Sequence, residues 1–264
     1  MNRMLRLEGD ANGIASDAVP ADAGSALTGP QVTYTMTRRI DMPAEALKKK
    51  RIVSGVENDA TGAAYKLLRT QILQRMKSHG WNTLAVTSTA PGEGKTLTAI
   101  NLAISIARDL NHTVLLVDAD LRRPSISRYF GCSLKFGLYD YLVHDVGLPE
   151  ILFNPGIERL VVLPGSNSVS NSSELLTSPK MVHLAEEMKG RYAGRIVIFD
   201  MPPLLVTDDV LAFAPYLDAA LLVLQDGRTR KRELMRALEM LQVVNIVGTV
   251  LNMAQQTSQP YGYY

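Results

Sequence analysis

The run Thr89-Ala90-Pro91-Gly92-Glu93-Gly94-Lys95-Thr96 has the residue types and spacing of a loop that wraps phosphate groups. Gly92 and Gly94 let backbone N–H groups approach phosphate oxygens closely, and the N-terminus of a following helix adds partial positive charge. In such a loop the lysine, here Lys95, reaches the β- and γ-phosphates, and the hydroxyl of Thr96 holds Mg²⁺. The common pattern G-x-x-x-x-G-K-S/T has glycine where this chain has Thr89, so the loop needs support from elsewhere. Two apolar runs supply it. Val114-Leu115-Leu116-Val117 leads into Asp118-Ala119-Asp120, and Ile196-Val197-Ile198-Phe199 leads into Asp200-Met201-Pro202-Pro203. In open α/β sheets, ligands bind at the carboxyl edge of the strands. Asp118, Asp120 and Asp200 meeting a phosphate loop at that edge make a Mg²⁺–nucleotide site.

The elements that must position these groups follow from pattern. Thr83 to Thr87 reads as a buried strand, and Leu97 to Leu110 as a helix with Ile100, Ala103, Ile104 and Ala107 on one face. Ala63 to Met76 reads as a preceding helix with Ala64, Leu67, Leu68, Ile72 and Leu73 as its apolar stripe. Further strands are expected over 113–117, 160–163, 195–199, 219–224 and 246–251. Short helical turns are expected across 138–152, broken at Gly147 and Pro149. Ser178-Pro179 opens a helix to about Arg191, another lies around 208–214, and Thr229 caps one reaching about Gln242. Strands alternating with helices and almost wholly apolar imply an α/β fold: a three-layer sandwich with a mostly parallel central sheet flanked by helices. Residues 1–60 read as a flexible arm, 61–252 as the nucleotide-binding domain, and 253–264 as a disordered tail rich in tyrosine.

Bulk properties narrow the function. The chain has 264 residues, 46% of them hydrophobic, enough for a sizeable core. A net charge of +2 on 28 basic and 26 acidic residues argues against a nucleic-acid binder. The single Cys132 excludes an internal disulfide and fits a reducing cytoplasm. No apolar run is long enough to span a membrane. Lys48-Lys49-Lys50-Arg51 reads either as a solvated linker or as a patch drawn to anionic lipid head groups. In a parallel sheet the last strand ends beside the phosphate loop, so Asn252 and the tail leave the fold next to the nucleotide. Tyr261, Tyr263 and Tyr264 on that tail are candidate phosphoacceptors, whereas Tyr129, Tyr139 and Tyr141 read as packing residues.

On the three motifs at Ser88–Thr96, Leu116–Pro124 and Phe199–Pro203, together with the tyrosine tail, the chain resembles the bacterial tyrosine kinases of capsule and exopolysaccharide synthesis, the CpsD/CapB type. The P-loop ATPases of the ParA/MinD type are similar, but they carry a lysine at the place of Ala90. The resemblance implies ATP and Mg²⁺ as cofactors and autophosphorylation of the tail between subunits. It implies nucleotide contacts from Pro91, Gly92, Glu93, Gly94, Lys95, Thr96 and Leu97, with Asn252 near the adenine. Thr96, Asp120 and Asp200 are expected at the metal, Asp118 as the group that polarises the tyrosine hydroxyl, and Lys95 on the phosphates. The family's E-x-x-R-x-x-R helix motif is altered here to Ala63, Lys66 and Arg69, which puts ring assembly through it in doubt. The implied partners are the cytoplasmic tail of a membrane-embedded chain-length determinant, further copies in a homo-oligomer, and a tyrosine phosphatase. That partner would supply the membrane segment, which puts the chain at the inner face of the cytoplasmic membrane. Phosphates added beside three carboxylates are expected to repel the site and loosen the oligomer. Two other readings are a ParA/MinD-like positioning ATPase and a nucleotide-binding interaction module of the export machinery.

Overall fold

Alternation of apolar side chains along each strand sorts the core onto the two faces of one sheet. Leu84, Val86, Leu116 and Ile198 join one cluster, and their neighbours Ala85, Leu115, Val117 and Phe199 join the other. The structure, a computed structural model, describes residues 37–53, 60–190 and 194–254. Tyr261, Tyr263, Tyr264, Arg191 and the arm before residue 37 lie outside the described residues.

The strands are β1 (Arg38–Arg39), β2 (Thr83–Ser88), β3 (Thr113–Asp118), β4 (Phe153–Asn154), β5 (Leu160–Leu163), β6 (Arg195–Asp200), β7 (Ala219–Gln225) and β8 (Asn245–Asn252). They lie in the order β1-β4-β5-β3-β6-β2-β7-β8. Every pairing is parallel except β4 with β5. One face carries helices α1 (Ala44–Lys49), α2 (Ala60–His79), α3 (Lys95–Ala107) and α4 (Ile126–Tyr129). The other carries α5 (Leu138–His144), α6 (Leu148–Ile151), α7 (Ser172–Leu176), α8 (Pro179–Gly190), α9 (Asp209–Phe213) and α10 (Lys231–Met240). Helices on both faces bury the strands, which explains why they read as continuous apolar runs. Register then builds the site. Asp118 is level with Asp200 on the adjacent strand, and Asp200 is level with Val86, two residues before β2 ends at the phosphate loop.

Three expectations change. The inner part of the expected arm is folded: β1 pairs with β4, and Leu47 and Ile52 are buried in the core. The buried side chain of Asn101 on α3 fastens this segment. It accepts from the Val53 N–H at 2.9 Å and donates to the Arg51 carbonyl at 3.1 Å. Arg51 is held at φ 59°, a left-handed conformation uncommon for a residue with a side chain. Elements of two and six residues are too short for periodicity to disclose, and β4 was hidden for the same reason. The stripe on α2 is also different. Leu67 is 62% exposed and Ala64 is exposed, while Ile72 and Met76 are buried. The start of α2 meets α3 through polar contacts instead, with Arg69 donating to the Ser105 carbonyl at 3.0 Å and Ser105 donating to the Tyr65 carbonyl at 3.2 Å. Thr229, finally, does not cap α10. That helix begins after Arg230, whose N–H donates to the Glu233 carboxylate at 3.0 Å.

Asn101→Ala would leave a buried N–H and a carbonyl without partners. It should lower stability by about 1–3 kcal/mol and open residues 37–53 to protease while α3 stays protected. Limited proteolysis with mass mapping checks this, and unchanged cleavage would show that the clamp does not hold the segment.

Candidate nucleotide site

The phosphate loop is shaped by two glycines in left-handed conformations, Gly92 at φ 85° and Gly94 at φ 92°. A Cβ on Gly94 would stand 2.0 Å from Asn252 Nδ2, so close packing as well as backbone angle demands glycine there. Beneath the loop lies the answer to the missing glycine. The Thr89 hydroxyl, fully buried, donates to both carboxylate oxygens of Glu93 at 2.8 and 2.9 Å. Glu93 also accepts from the Ala90 N–H at 2.9 Å and from the Thr229 hydroxyl. Its side chain therefore braces the loop from below and does not face the phosphate side. Asn252 completes the brace by donating to the Glu93 carbonyl at 2.9 Å. Sequence reading missed the Thr89–Glu93–Thr229 link, because nothing in spacing reveals a contact across 136 residues.

Beside the loop are the acids. Lys95 Nζ lies 2.7 Å from Asp120 and 3.3 Å from Asp200. The Thr96 hydroxyl donates to Asp200 at 2.7 Å. Asp118 accepts from the Ser125 and Ile126 N–H groups through one oxygen, at 2.8 and 2.9 Å. Its other oxygen is buried and has no hydrogen-bond partner. Burial pushes the Asp118 carboxyl up to about 7, and the Asp200 carboxylate adds to the rise. Burial also raises Asp200, against the pull of Lys95 and Thr96. For Lys95 burial works against the charge, but Asp200 and Asp120 outweigh it and hold the ammonium above the ordinary lysine range.

Hard oxygen donors of this kind fit Mg²⁺. Among the described residues no three His, Cys, Asp or Glu side chains form a stand-alone metal cage. A nucleotide-bound Mg²⁺ needs only one or two carboxylates and a hydroxyl, with phosphate and water oxygens completing six positions. Thr96 and Asp200 are available for that, with Asp120 next to them.

The acids and the loop open onto a cavity of about 860 Å³. Pro91, Gly92, Gly94, Lys95, Thr96, Leu97 and Asp120 line it, while Asp118 and Asp200 lie behind the lining. Arg122 faces the cavity but is tied to Asp209 at 3.1 Å, whereas Arg123 is exposed. Lys49, Lys50 and Arg51 also line the cavity, which neither reading of that basic run foresaw. Tyr129 and Tyr141 pack against the two cores and Tyr139 meets His144 edge-on, consistent with structural roles.

A phosphate loop before a buried helix, with acids at the ends of two parallel strands, defines a P-loop nucleotide-binding α/β domain. The AAA domain family matches residues 81–228. The tyrosine-protein kinase YwqD of Bacillus subtilis is 32% identical over 203 residues, 76% of this chain and 84% of that protein. EpsB of Ralstonia nicotianae is 30% identical over 231 residues, 85% of this chain but only 30% of that protein, so this chain spans under a third of such longer relatives. The kinase domain of the Escherichia coli tyrosine kinase Etk superposes with a TM-score of 0.70 at 29% identity, covering 86% of this chain and 94% of that domain. The chain belongs to the bacterial tyrosine-protein kinases. Likeness to MinD from Pyrococcus horikoshii, at 22% identity and a TM-score of 0.54, extends to the fold alone. ATP is the nucleotide this family membership implies.

Two substitutions test the geometry. Thr89→Gly restores the common loop pattern yet removes the donor to a buried carboxylate. It should cost about 1.5–3 kcal/mol in denaturant unfolding, and a gain in stability would refute the bracing role. Asp118→Asn removes a buried charge facing Asp200 while an amide oxygen still accepts from Ser125 and Ile126. A carboxyl raised on folding lowers stability as pH climbs from its unfolded value, about 4, through about 7. With metal chelated, the variant should therefore melt higher than wild type at pH 8. That gain should fade below pH 7, where Asp118 takes up a proton. A gain independent of pH would mean that Asp118 carries no such charge.

Proposed function

We propose that this chain is an ATP- and Mg²⁺-dependent protein-tyrosine kinase that phosphorylates the tyrosine-rich tail of neighbouring copies and so controls exopolysaccharide or capsule polymerisation and export. The observation that carries the reading is Lys95 held among Asp118, Asp120 and Asp200 at the mouth of the phosphate loop. Relatives named tyrosine-protein kinase and one named succinoglycan biosynthesis transport protein support the setting. The acceptors are Tyr261, Tyr263 and Tyr264. The chain acts at the inner face of the cytoplasmic membrane, with the cytoplasmic tail of a chain-length determinant as activator and a tyrosine phosphatase as its counterpart. Among the described residues no helix is long and apolar enough to cross a membrane.

In the reaction a bond forms between the tyrosine oxygen and the γ-phosphorus, the bond from that phosphorus to the β,γ-bridging oxygen breaks, and ADP leaves. Bound Mg²⁺ supplies charge neutralisation on the β- and γ-oxygens. The chain's own groups do the positioning. Lys95 leaves its carboxylates for the phosphates, because phosphate offers more negative charge outside the core. Thr96 and Asp200 then face the metal, with Asp120 assisting. The unbonded oxygen of Asp118 is the acceptor for the phenolic proton. A carboxyl near 7 holds a proton far better than an ordinary aspartate, which suits it to that step.

The test is a mixture. Lys95→Met should lose autophosphorylation by roughly a hundredfold or more and still fold. Mixed with a copy lacking residues 259–264, its intact tail should regain phosphate, read by intact-mass spectrometry. A silent mixture would place the transfer within one chain. Phosphate on Lys95→Met alone would overturn the site assignment.

A further inference from the structure

Five cations line the nucleotide cavity from outside the phosphate loop: Lys49, Lys50 and Arg51 at the end of α1, Arg123 before α4 and Arg128 within it. All five are exposed, and among the described residues none forms an ion pair with a carboxylate. Asp120 is the one carboxylate among the described lining residues, and Lys95 already pairs with it at 2.7 Å. The two halves of this rim belong to one wall. Leu47 and Ile52 share a buried cluster with Ile126 and Phe130 from around α4. Asn101 grips the backbone on both sides of Ile52, and Arg51 is kept in a left-handed conformation. Like charges held together around one cavity repel unless an anion joins them.

Sheet order decides which end of a nucleotide this rim meets. β1 and β3, after which the two halves follow, lie on one side of β2 and its phosphate loop, whereas β7, β8 and Asn252 lie on the other. The β3 side also holds the candidate metal ligands. Ser125, just before α4, gives its N–H to Asp118 at 2.8 Å, and its hydroxyl stands 3.5 Å from that of Thr96. The rim therefore borders the metal end of the site, where the last phosphate of a triphosphate lies beside Lys95 and Thr96. We propose that the rim reads that terminal phosphate, so that the segment 37–53 is part of the nucleotide site and makes it prefer ATP over ADP. The proposal rests on the ATP site described above. Lys95 and the loop amides meet phosphate in both nucleotides and so discriminate less. The rim cations gain a partner only when the terminal phosphate and its negative charge are present. Coupling of this kind is reciprocal: whatever attraction the segment lends to ATP, bound ATP returns as tighter attachment of the segment.

The experiment titrates the full chain, with Mg²⁺ present, against ADP and against an ATP analogue whose β,γ-imido bridge prevents phosphoryl transfer, and calorimetry reads both affinities. Wild type should prefer the analogue. Two rim variants should each cut that preference by about tenfold while ADP affinity stays nearly unchanged: K49Q/K50Q/R51N, with Asn chosen because it tolerates the left-handed backbone, and R123Q/R128Q. A wall with a merely structural role would weaken both nucleotides alike, and that result overturns the proposal. So does a preference that both variants keep in full, or a wild type that binds the two nucleotides equally. Proteolysis gives a second readout. At saturation the analogue should protect residues 37–53 from cleavage more than ADP does, and equal protection overturns the reciprocal coupling and with it the proposal. None of these outcomes depends on phosphoryl transfer. A wild type that binds neither nucleotide would instead overturn the function proposed above.

Discussion

One ammonium group among three buried carboxylates sets the terms for the rest of the site. Lys95 touches Asp120 and Asp200, and Asp118 lies close enough to add to its field. Burying a charge is costly unless it is paired, and three acids with one lysine remain negative overall. The chain offsets part of that cost with backbone N–H groups on Asp118 and a hydroxyl on Asp200. The remainder leaves Asp118 protonatable near neutrality. A site in this condition favours any added positive charge, and phosphate outside the cluster favours the lysine's departure. The same imbalance suits the cluster to an added cation such as the proposed Mg²⁺, whose charge would replace that of Lys95.

The brace under the loop connects this chemistry to the far edge of the sheet. Glu93 is held by Thr89 from its own loop and by Thr229 from the segment after β7, and Asn252 at the end of β8 reaches the Glu93 carbonyl. Gln225 and Asn252 are level in the β7–β8 register, so both contacts come from one end of one strand pair. The chain leaves the fold from that end. The phosphate loop and the point where the tail begins are therefore joined directly by hydrogen bonds.

Most of the fold was legible because the inner strands, among them Thr83–Ser88, Thr113–Asp118 and Ala219–Gln225, are buried on both faces and so carry apolar runs. The acids were legible because each follows such a run. What was not legible depends on short elements or on distance in sequence. Arg38–Arg39 and Phe153–Asn154 are too brief for any period. Leu67 matched the apolar spacing of α2, but polar contacts from Arg69 and Ser105 set that helix's rotation. Thr229 had the look of a cap, since threonine before a helix usually is one, but its hydroxyl donates to the Glu93 carboxylate and accepts from the Gln225 N–H at 2.9 Å, which leaves the first N–H groups of α10 to other partners. The basic run 48–51 was visible as charge, and only the folded chain reveals that Lys49, Lys50 and Arg51 face the nucleotide cavity.

Helix α3 joins the two electrostatic zones. Lys95 begins it and faces the negative interior, while Asn101, six residues on, grips the segment that carries the positive rim. Six residues of helix span about 9 Å, so the rim is fixed to the same rigid strut as Lys95. The interior is negative and desolvated, where charge interactions are strong and act on metal and phosphate. The rim is positive and exposed, where interactions are weaker and screened. The two zones therefore differ in strength and in reach, and their shared strut keeps them in register.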